Sequence, residues 1–176
     1  MSTRDAQAAA DAQFIQRWSP RAFNGAALNH DQVMALIEAA RWAPSCFNSQ
    51  PWRFVYAIKG SEHWPAMLAL LMDMNQAWAQ HAGALFAVVS RNTYQGNDAP
   101  APTHSFHTGA AWMSLALQAQ SMGLASHAMW GIEHDAIPQA LNMPDNMQIQ
   151  AIVAVGEPGN KDDLPEPLQQ REQPSP

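Results

Sequence analysis

Positive charge is what this chain has least of. Nine Lys and Arg stand against fifteen Asp and Glu, a formal net charge of −6 over 176 residues. A polyanion needs a continuous basic face, so nucleic-acid binding is excluded as the main activity. Cysteine is scarcer still: the single residue, Cys46, cannot form an internal disulfide and fits a reducing compartment. The longest apolar run, around Gly83 to Val89, is too short to span a bilayer, and the start of the chain is polar and Ala-rich without a basic-then-apolar leader pattern. The expectation is a cytoplasmic protein with no membrane partner. Neither GxGxxG nor GxxxxGKS/T occurs, so no dedicated Rossmann or P-loop nucleotide site is visible.

What is present is apolar. A hydrophobic content of 47% lets 176 residues bury one substantial core. We read residues 1–160 as one domain and 161–176 as an extended Pro-rich tail; there is no internal repeat. Asp5 to Gln16 reads as an Ala-rich helix, and Asn29 or Asp31 caps a second one running to about Trp42, with Val33, Leu36, Ile37 and Ala40 on one face. Ser61 to Gln80 reads as mostly helical, with Pro65 near the first turn and Asn75 near the end. Phe106 to Met122 is a long helix apolar nearly all round, suited to a core or a subunit interface. Asp135 to Leu141 is a short helix. Strands are expected at Phe54–Ile58, Leu85–Val89, Ala125–Met129 and Ile149–Val155, the second covered on both faces. The Gly-, Asn- and Pro-rich stretch from Asn92 to Thr103 reads as an exposed excursion that could serve as a lid. This order gives an α+β fold: a small, mainly antiparallel sheet with helices on both faces.

Two segments carry the chemistry. Arg17-Trp18-Ser19-Pro20-Arg21-Ala22-Phe23 sets two guanidinium groups four residues apart with a hydroxyl between them. Arginine's rigid fork suits phosphate, and this pair stands out in an acidic chain. Pro44-Ser45-Cys46-Phe47-Asn48-Ser49-Gln50-Pro51-Trp52-Arg53-Phe54 packs short hydrogen-bonding side chains between two prolines, after a helix and before a strand. Together they suit a planar heterocycle bearing a phosphate.

These segments resemble the FMN-dependent nitroreductase-like flavoproteins, in a short, single-domain branch. The shared features are an Arg-x-Ser-x-Arg/Lys-x-Phe signature and, one helix later, a Pro-Ser-x-x-Asn-x-Gln-Pro-Trp-x-Phe loop. Asn75-Gln76-Ala77-Trp78, Thr108-Gly109-Ala110-Ala111-Trp112, Gly123-Leu124, Met129-Trp130-Gly131-Ile132 and Val155-Gly156-Glu157-Pro158 extend the match along nearly the whole chain. The resemblance implies an intertwined homodimer with FMN at its interface, hydride from NADH or NADPH, and electrons passed to a nitroaromatic, quinone or similar conjugated acceptor. It assigns Arg17 and Ser19 to phosphate and ribityl oxygens, and Arg21 to the flavin pyrimidine edge, where a cation offsets the negative charge that reduction brings. Pro44, Ser45, Cys46 and Asn48 would reach the ribityl chain and ring from the other subunit, with Gln50 near the ring and Asn75 on the pyrimidine edge. The Trp130 backbone N–H would face flavin N5, with Gly131 allowing close approach. Trp18, Trp78 and Trp130 fall beside these positions and could wall a narrow aromatic pocket. Trp78 departs from larger family members, which place a lysine nearby. Relatives continue beyond the point where this chain has Pro176 with a basic residue that helps hold the phosphate. Either the chain stops short of it or Arg171 takes its place.

Blander and rival readings stand beside these. Arg17 and Arg21 alone would be read as solvated surface charge, and Gly131 alone as a turn residue. Cys46 has no neighbouring histidine in sequence to activate it as a nucleophile. His104 and His107 have i, i+3 spacing, yet neither HExxH nor a Cys/His cluster supports a metal site. The rival function is a flavin-binding storage or redox-sensing protein without turnover, its tryptophan walls blocking the nicotinamide.

Overall fold

The computed structural model describes Arg4 and residues 6–174. Asp5, where the first helix was expected to begin, and Ser175 and Pro176 of the tail lie outside the described residues. Four strands form one sheet: β1 (Trp52–Ile58), β2 (Ala84–Arg91), β3 (Ala125–Met129) and β4 (Met147–Gly156). Their spatial order is β1-β2-β4-β3, and every neighbouring pair is antiparallel. The four expected strands are all present, each a few residues longer or equal to its apolar core.

Strand periodicity builds the layers. In β2, Leu85, Ala87 and Val89 enter one apolar cluster while Ala84, Phe86 and Val88 enter the other; Ile152 and Ala154 of β4 divide from Val153 and Val155 in the same way. One face is covered by α2 (His30–Arg41) and α5 (His104–Ser121), through Val33, Leu36, Ala40, Ala111, Leu115 and Ala119. The other is covered by α3 (Trp64–Leu68) and α4 (Asp73–Ala79), through Trp64, Met67 and Trp78. Asn29 is the N-cap of α2: its side chain accepts from the Gln32 N–H while the Gln32 side chain accepts from the Asn29 N–H, a capping box. No helix among the described residues is long and apolar enough to cross a membrane.

Three expectations are corrected. The N-terminal helix α1 covers only Ala12–Gln16, capped by Asp11 and burying none of its residues, because Ala-rich sequence without a packed face rarely sustains a helix. The helix expected over residues 61–80 is two helices, so Asn75 lies in the first turn of α4, not near an end. The break is tertiary: Leu71 bridges to Ile132, Met72 N–H donates to Gly131 O at 3.1 Å, and Glu133 N–H donates to Leu70 O at 2.8 Å. The segment after residue 160 is not extended but makes a 3₁₀ turn at Lys161–Asp163 and a short helix, α7 (Glu166–Gln169). Buried Leu164 and half-buried Leu168 pin it to the chain's own core. Between α4 and β4, α6 (Ile137–Ala140) falls inside the expected short helix.

Candidate functional site

The Arg17–Phe23 signature follows α1 and runs without regular structure until Phe23 pairs with Pro158. Arg17, Trp18, Ser19 and Arg21 line one cavity of about 540 Å³ together with Arg4, Phe14, His127, Arg171 and Gln173. Two of the nine Lys and Arg are lysines, Lys59 and Lys161, so four of the seven arginines meet here. Arg17 Nη1 reaches Ser19 Oγ at 3.4 Å. Burial, and after it the Arg4 charge, push the Arg17 guanidinium below its ordinary pKa. Arg4 Nη1 donates to Ile15 O at 2.9 Å and to Arg17 O at 2.7 Å, while its Nε is sealed from solvent with no partner among the described residues. Such convergent, incompletely satisfied donors suit a multiply charged oxyanion.

The segment is held from behind by the tail. Glu172 Oε1 accepts the backbone N–H groups of Arg21 at 2.7 Å and Ala22 at 2.9 Å, with the carboxylate side chain only 3% exposed. Glu172 Oε2 is buried, accepts no hydrogen bond among the described residues, and lies 3.8 Å from Arg21 Nη1. A tail carboxylate therefore sets where the signature backbone runs and partly offsets the Arg21 charge. From β3, His127 Nδ1 bonds Pro20 O at 2.9 Å, and its ring lies 4.7 Å from the Trp78 indole.

A second group forms where α4 meets the chain after β3. Asn75 Nδ2 donates to Gly131 O at 2.9 Å. A Cβ on Gly131 would lie 2.7 Å from that same nitrogen, so the close approach itself requires glycine. Trp130 is 64% exposed, its carbonyl accepts from the Ile132 N–H at 2.9 Å, and its own N–H donates to nothing among the described residues. Trp78, by contrast, is 1% exposed and stacks on Phe23. It is core, which removes it from any pocket wall.

The third group is the loop from Pro44 to Gln50. Ser45 Oγ accepts from the Gln50 N–H at 3.0 Å, and Gln50 Nε2 donates to Asn48 Oδ1 at 2.9 Å. Phe47, Asn48 and Gln50 have φ of 52°, 51° and 45°, a left-handed backbone that costs non-glycine residues about 1–3 kcal/mol each. Phe47 is nonetheless 88% exposed, its ring edge-on to Tyr94 at 5.9 Å. Phe47, Asn48 and Ser49 line a cavity with Tyr94, Gln95, Asn97 and Ala99 of the expected excursion; none of the arginines lines it. His107 does reach Cys46, accepting its backbone N–H at 3.1 Å, but the thiol's contact is Tyr94 Oη at 3.7 Å. His104 Nδ1 instead bonds buried Ser90 Oγ at 2.8 Å, so the two histidines serve separate structural bonds. Among the described residues no group of three or more His, Cys, Asp or Glu could hold a metal ion.

Within one chain, then, Arg17, Trp18, Ser19, Arg21 and Arg171 come together, Asn75 meets Gly131, which follows Trp130, and Pro44, Ser45, Cys46, Asn48 and Gln50 form a separate loop. Sequence reasoning missed Arg4, His127 and Glu172. A histidine inside the apolar run of β3 was the available signal for one; nothing local marked the other two.

An antiparallel sheet between two helical layers, with an arginine-lined cavity beside its edge strand, defines an α+β protein equipped to hold an anionic ligand. The sequence profile described as the Nitroreductase family matches residues 15–157. The chain belongs to the nitroreductase family. Among solved structures it is 45% identical to an oxidoreductase containing FMN, with a TM-score of 0.94, covering 98% of this chain and 88% of that one. A structure with FMN bound from Exiguobacterium sibiricum 255-15 shares 24% identity, TM-score 0.75, over 89% of this chain and 92% of that one. A nitroreductase family protein from Clostridium difficile 630 shares 22%, TM-score 0.69, over 93% and 91%. The last two show the shared fold alone. The curated proteins searched gave no match.

Proposed function

We propose that this chain is an FMN-dependent oxidoreductase that takes hydride from NADH or NADPH and passes two electrons to a nitroaromatic, quinone or similar conjugated acceptor. The observation that carries the reading is the cavity of Arg4, Arg17, Ser19, Arg21 and Arg171 in a chain 45% identical to an FMN-containing oxidoreductase. The residues fit the cofactor: a phosphate dianion would offset the crowding of guanidinium charge from Arg4, Arg17, Arg21 and Arg171 in one cavity. When bound, FMN supplies the hydride-accepting centre.

In this reading Arg17, Ser19, Arg171 and Arg4 hold phosphate, Trp18 flanks them, and Arg21 supplies positive charge toward the pyrimidine edge. Asn75 commits Nδ2 to Gly131 O, which leaves Oδ1 to accept from that edge. The undonated Trp130 N–H is available to N5, and Gly131 keeps the approach open. Pro44, Ser45, Cys46, Asn48 and Gln50 act from a second copy of the chain, a reading supported by the cavity at Phe47, Asn48 and Ser49, whose lining contains no arginine. A homodimer also covers Trp42, Phe47, Met74 and Phe106, which are 74–88% exposed. Use of a nicotinamide donor is consistent with a cytoplasmic location. The rival reading, flavin binding without turnover, loses one of its three tryptophan walls because Trp78 is core.

The test is an absorption spectrum of the purified protein, chromatography of heat-released flavin, and anaerobic titration with NADH and NADPH. We expect FMN, bleaching by at least one donor, and steady-state turnover with menadione or nitrofurazone along parallel double-reciprocal lines. Predominant FAD would overturn the cofactor, and bound FMN without turnover would favour the rival. Light scattering of an FMN-saturated monomer would refute the shared site.

A further inference from the structure

We propose that His127 is a titrating member of the arginine cavity: it takes up a proton at Nε2 when a phosphate-bearing ligand enters, so affinity for that ligand falls as pH rises. The identity of the ligand as FMN rests on the reading above; the coupling holds for any phosphate monoester in this cavity.

The tautomer follows from geometry. His127 Nδ1 lies 2.9 Å from Pro20 O, and a carbonyl only accepts, so Nδ1 carries its proton in the neutral and charged rings alike. Nε2 is therefore the nitrogen that gains or loses a proton. The Ser19 backbone is the ring's other hydrogen-bonding neighbour, no bond to Nε2 meets full hydrogen-bond geometry among the described residues, and Nε2 is not one of the polar atoms sealed from solvent without a partner. The ring itself lines the cavity.

The charges around the ring are one-sided. The 17–21 segment contributes Arg17 and Arg21, the N-terminal segment Arg4, and the tail Arg171 and Glu172. β4 presents Ala154 in register and α4 presents the Trp78 indole, neither of which titrates in this range. Glu172 is turned to the Arg21 and Ala22 N–H groups. Burial accordingly lowers the His127 pKa, the Pro20 carbonyl opposes this, the Arg21 charge adds to the lowering, the Ser19 backbone opposes it, and the Arg17 charge adds to it least. A phosphate dianion reverses the balance, because it offsets the arginines and sets an opposite charge near the ring. The bound pKa then exceeds the free one. Linkage fixes the sign: the added affinity is complete below the free pKa and is lost as pH rises through the bound pKa.

The experiment compares wild type with His127→Asn, whose amide N–H can still face Pro20 O but which has no titrating nitrogen. Dissociation constants for FMN and riboflavin are measured by flavin fluorescence from about pH 5.5 to 8.5. Ionisation of the free ligand's phosphate affects both proteins alike and cancels in their ratio. We expect the variant to bind FMN about tenfold more weakly at the acid end, the scale of one pKa unit, and to converge with wild type at the alkaline end. Riboflavin should show no pH-dependent difference. In wild type, imidazole NMR should show the His127 midpoint rising by about one unit on saturation with FMN. A pH-independent ratio, or a midpoint that saturating FMN leaves in place, overturns the proposal while FMN binding itself stands. A midpoint raised by inorganic phosphate in a protein that binds no FMN keeps the proposal and removes the FMN reading. The wild-type NMR titration decides the matter even if the variant fails to fold.

Discussion

Glu172→Ala tests whether the tail carboxylate organises the arginine signature. In the native chain one oxygen accepts two backbone N–H groups, Arg21 at 2.7 Å and Ala22 at 2.9 Å, from a side chain 3% exposed. Alanine leaves both donors without their acceptor. Hydrogen bonds to a charged group contribute about 1.5–3 kcal/mol each, and a buried donor left unmade costs about 1–3 kcal/mol. Glu172 also borders a cavity of about 440 Å³, so water can enter and recover part of the loss. We therefore expect a net destabilisation of about 3 kcal/mol rather than the full sum. For a chain of this size that lowers Tm by roughly 6–12 °C. Glu172→Gln keeps a carbonyl oxygen for the two donors but loses the charge facing Arg21, and should cost less than half as much. Thermal and urea unfolding should be run at one fixed protein concentration, with and without saturating FMN, because ligand and partner both shift apparent stability. FMN affinity should fall in Glu172→Ala as residues 17–22 lose their anchor. A Tm within about 1 °C of wild type would refute the reasoning, since it would mean the two donors were already satisfied by water.

Arg17→Ala should weaken FMN binding by roughly 1.5–3 kcal/mol, tenfold or more in Kd by fluorescence quenching, and unchanged affinity would return Arg17 to solvated surface charge. Arg21→Met removes a charge already partly offset by Glu172 at 3.8 Å, so the flavin midpoint potential should fall by only about 30 mV in spectroelectrochemistry; an unshifted potential at full FMN occupancy would take Arg21 out of the site. Gly131→Ala puts a Cβ where Asn75 Nδ2 lies 2.7 Å away, so it should displace the amide at a stability cost of about 1 kcal/mol and weaken FMN binding. Normal affinity there would separate Asn75 from the cofactor.

Features that depend on neighbours a few residues away were legible in the sequence. Short apolar runs placed β1 to β4, and Asn29, one of two cap candidates with Asp31, marked the start of α2. Arg17, Ser19 and Arg21 were visible in the sequence as a candidate site through their spacing together with the resemblance to the family. The break between α3 and α4 was not, since helix propensity runs on through residues 69–72 while their backbone groups bond to residues 131–133 instead. Tertiary hydrogen bonds decided that segment, and they moved Asn75 from a helix end to a first turn beside Gly131.

By itself the sequence determined the antiparallel α+β architecture, the family, and the Arg17-Ser19-Arg21 signature, because each is set by local pattern and spacing. Only the tertiary structure decided that Arg4 and Arg171, from opposite ends of the chain, share one cavity with that signature. Only it turned Trp78 into core, and seated Glu172 under a backbone 150 residues away. The reason is physical: a buried carboxylate or an indole takes its role from the donors and apolar surface that folding brings to it, and no spacing along the chain encodes which those are.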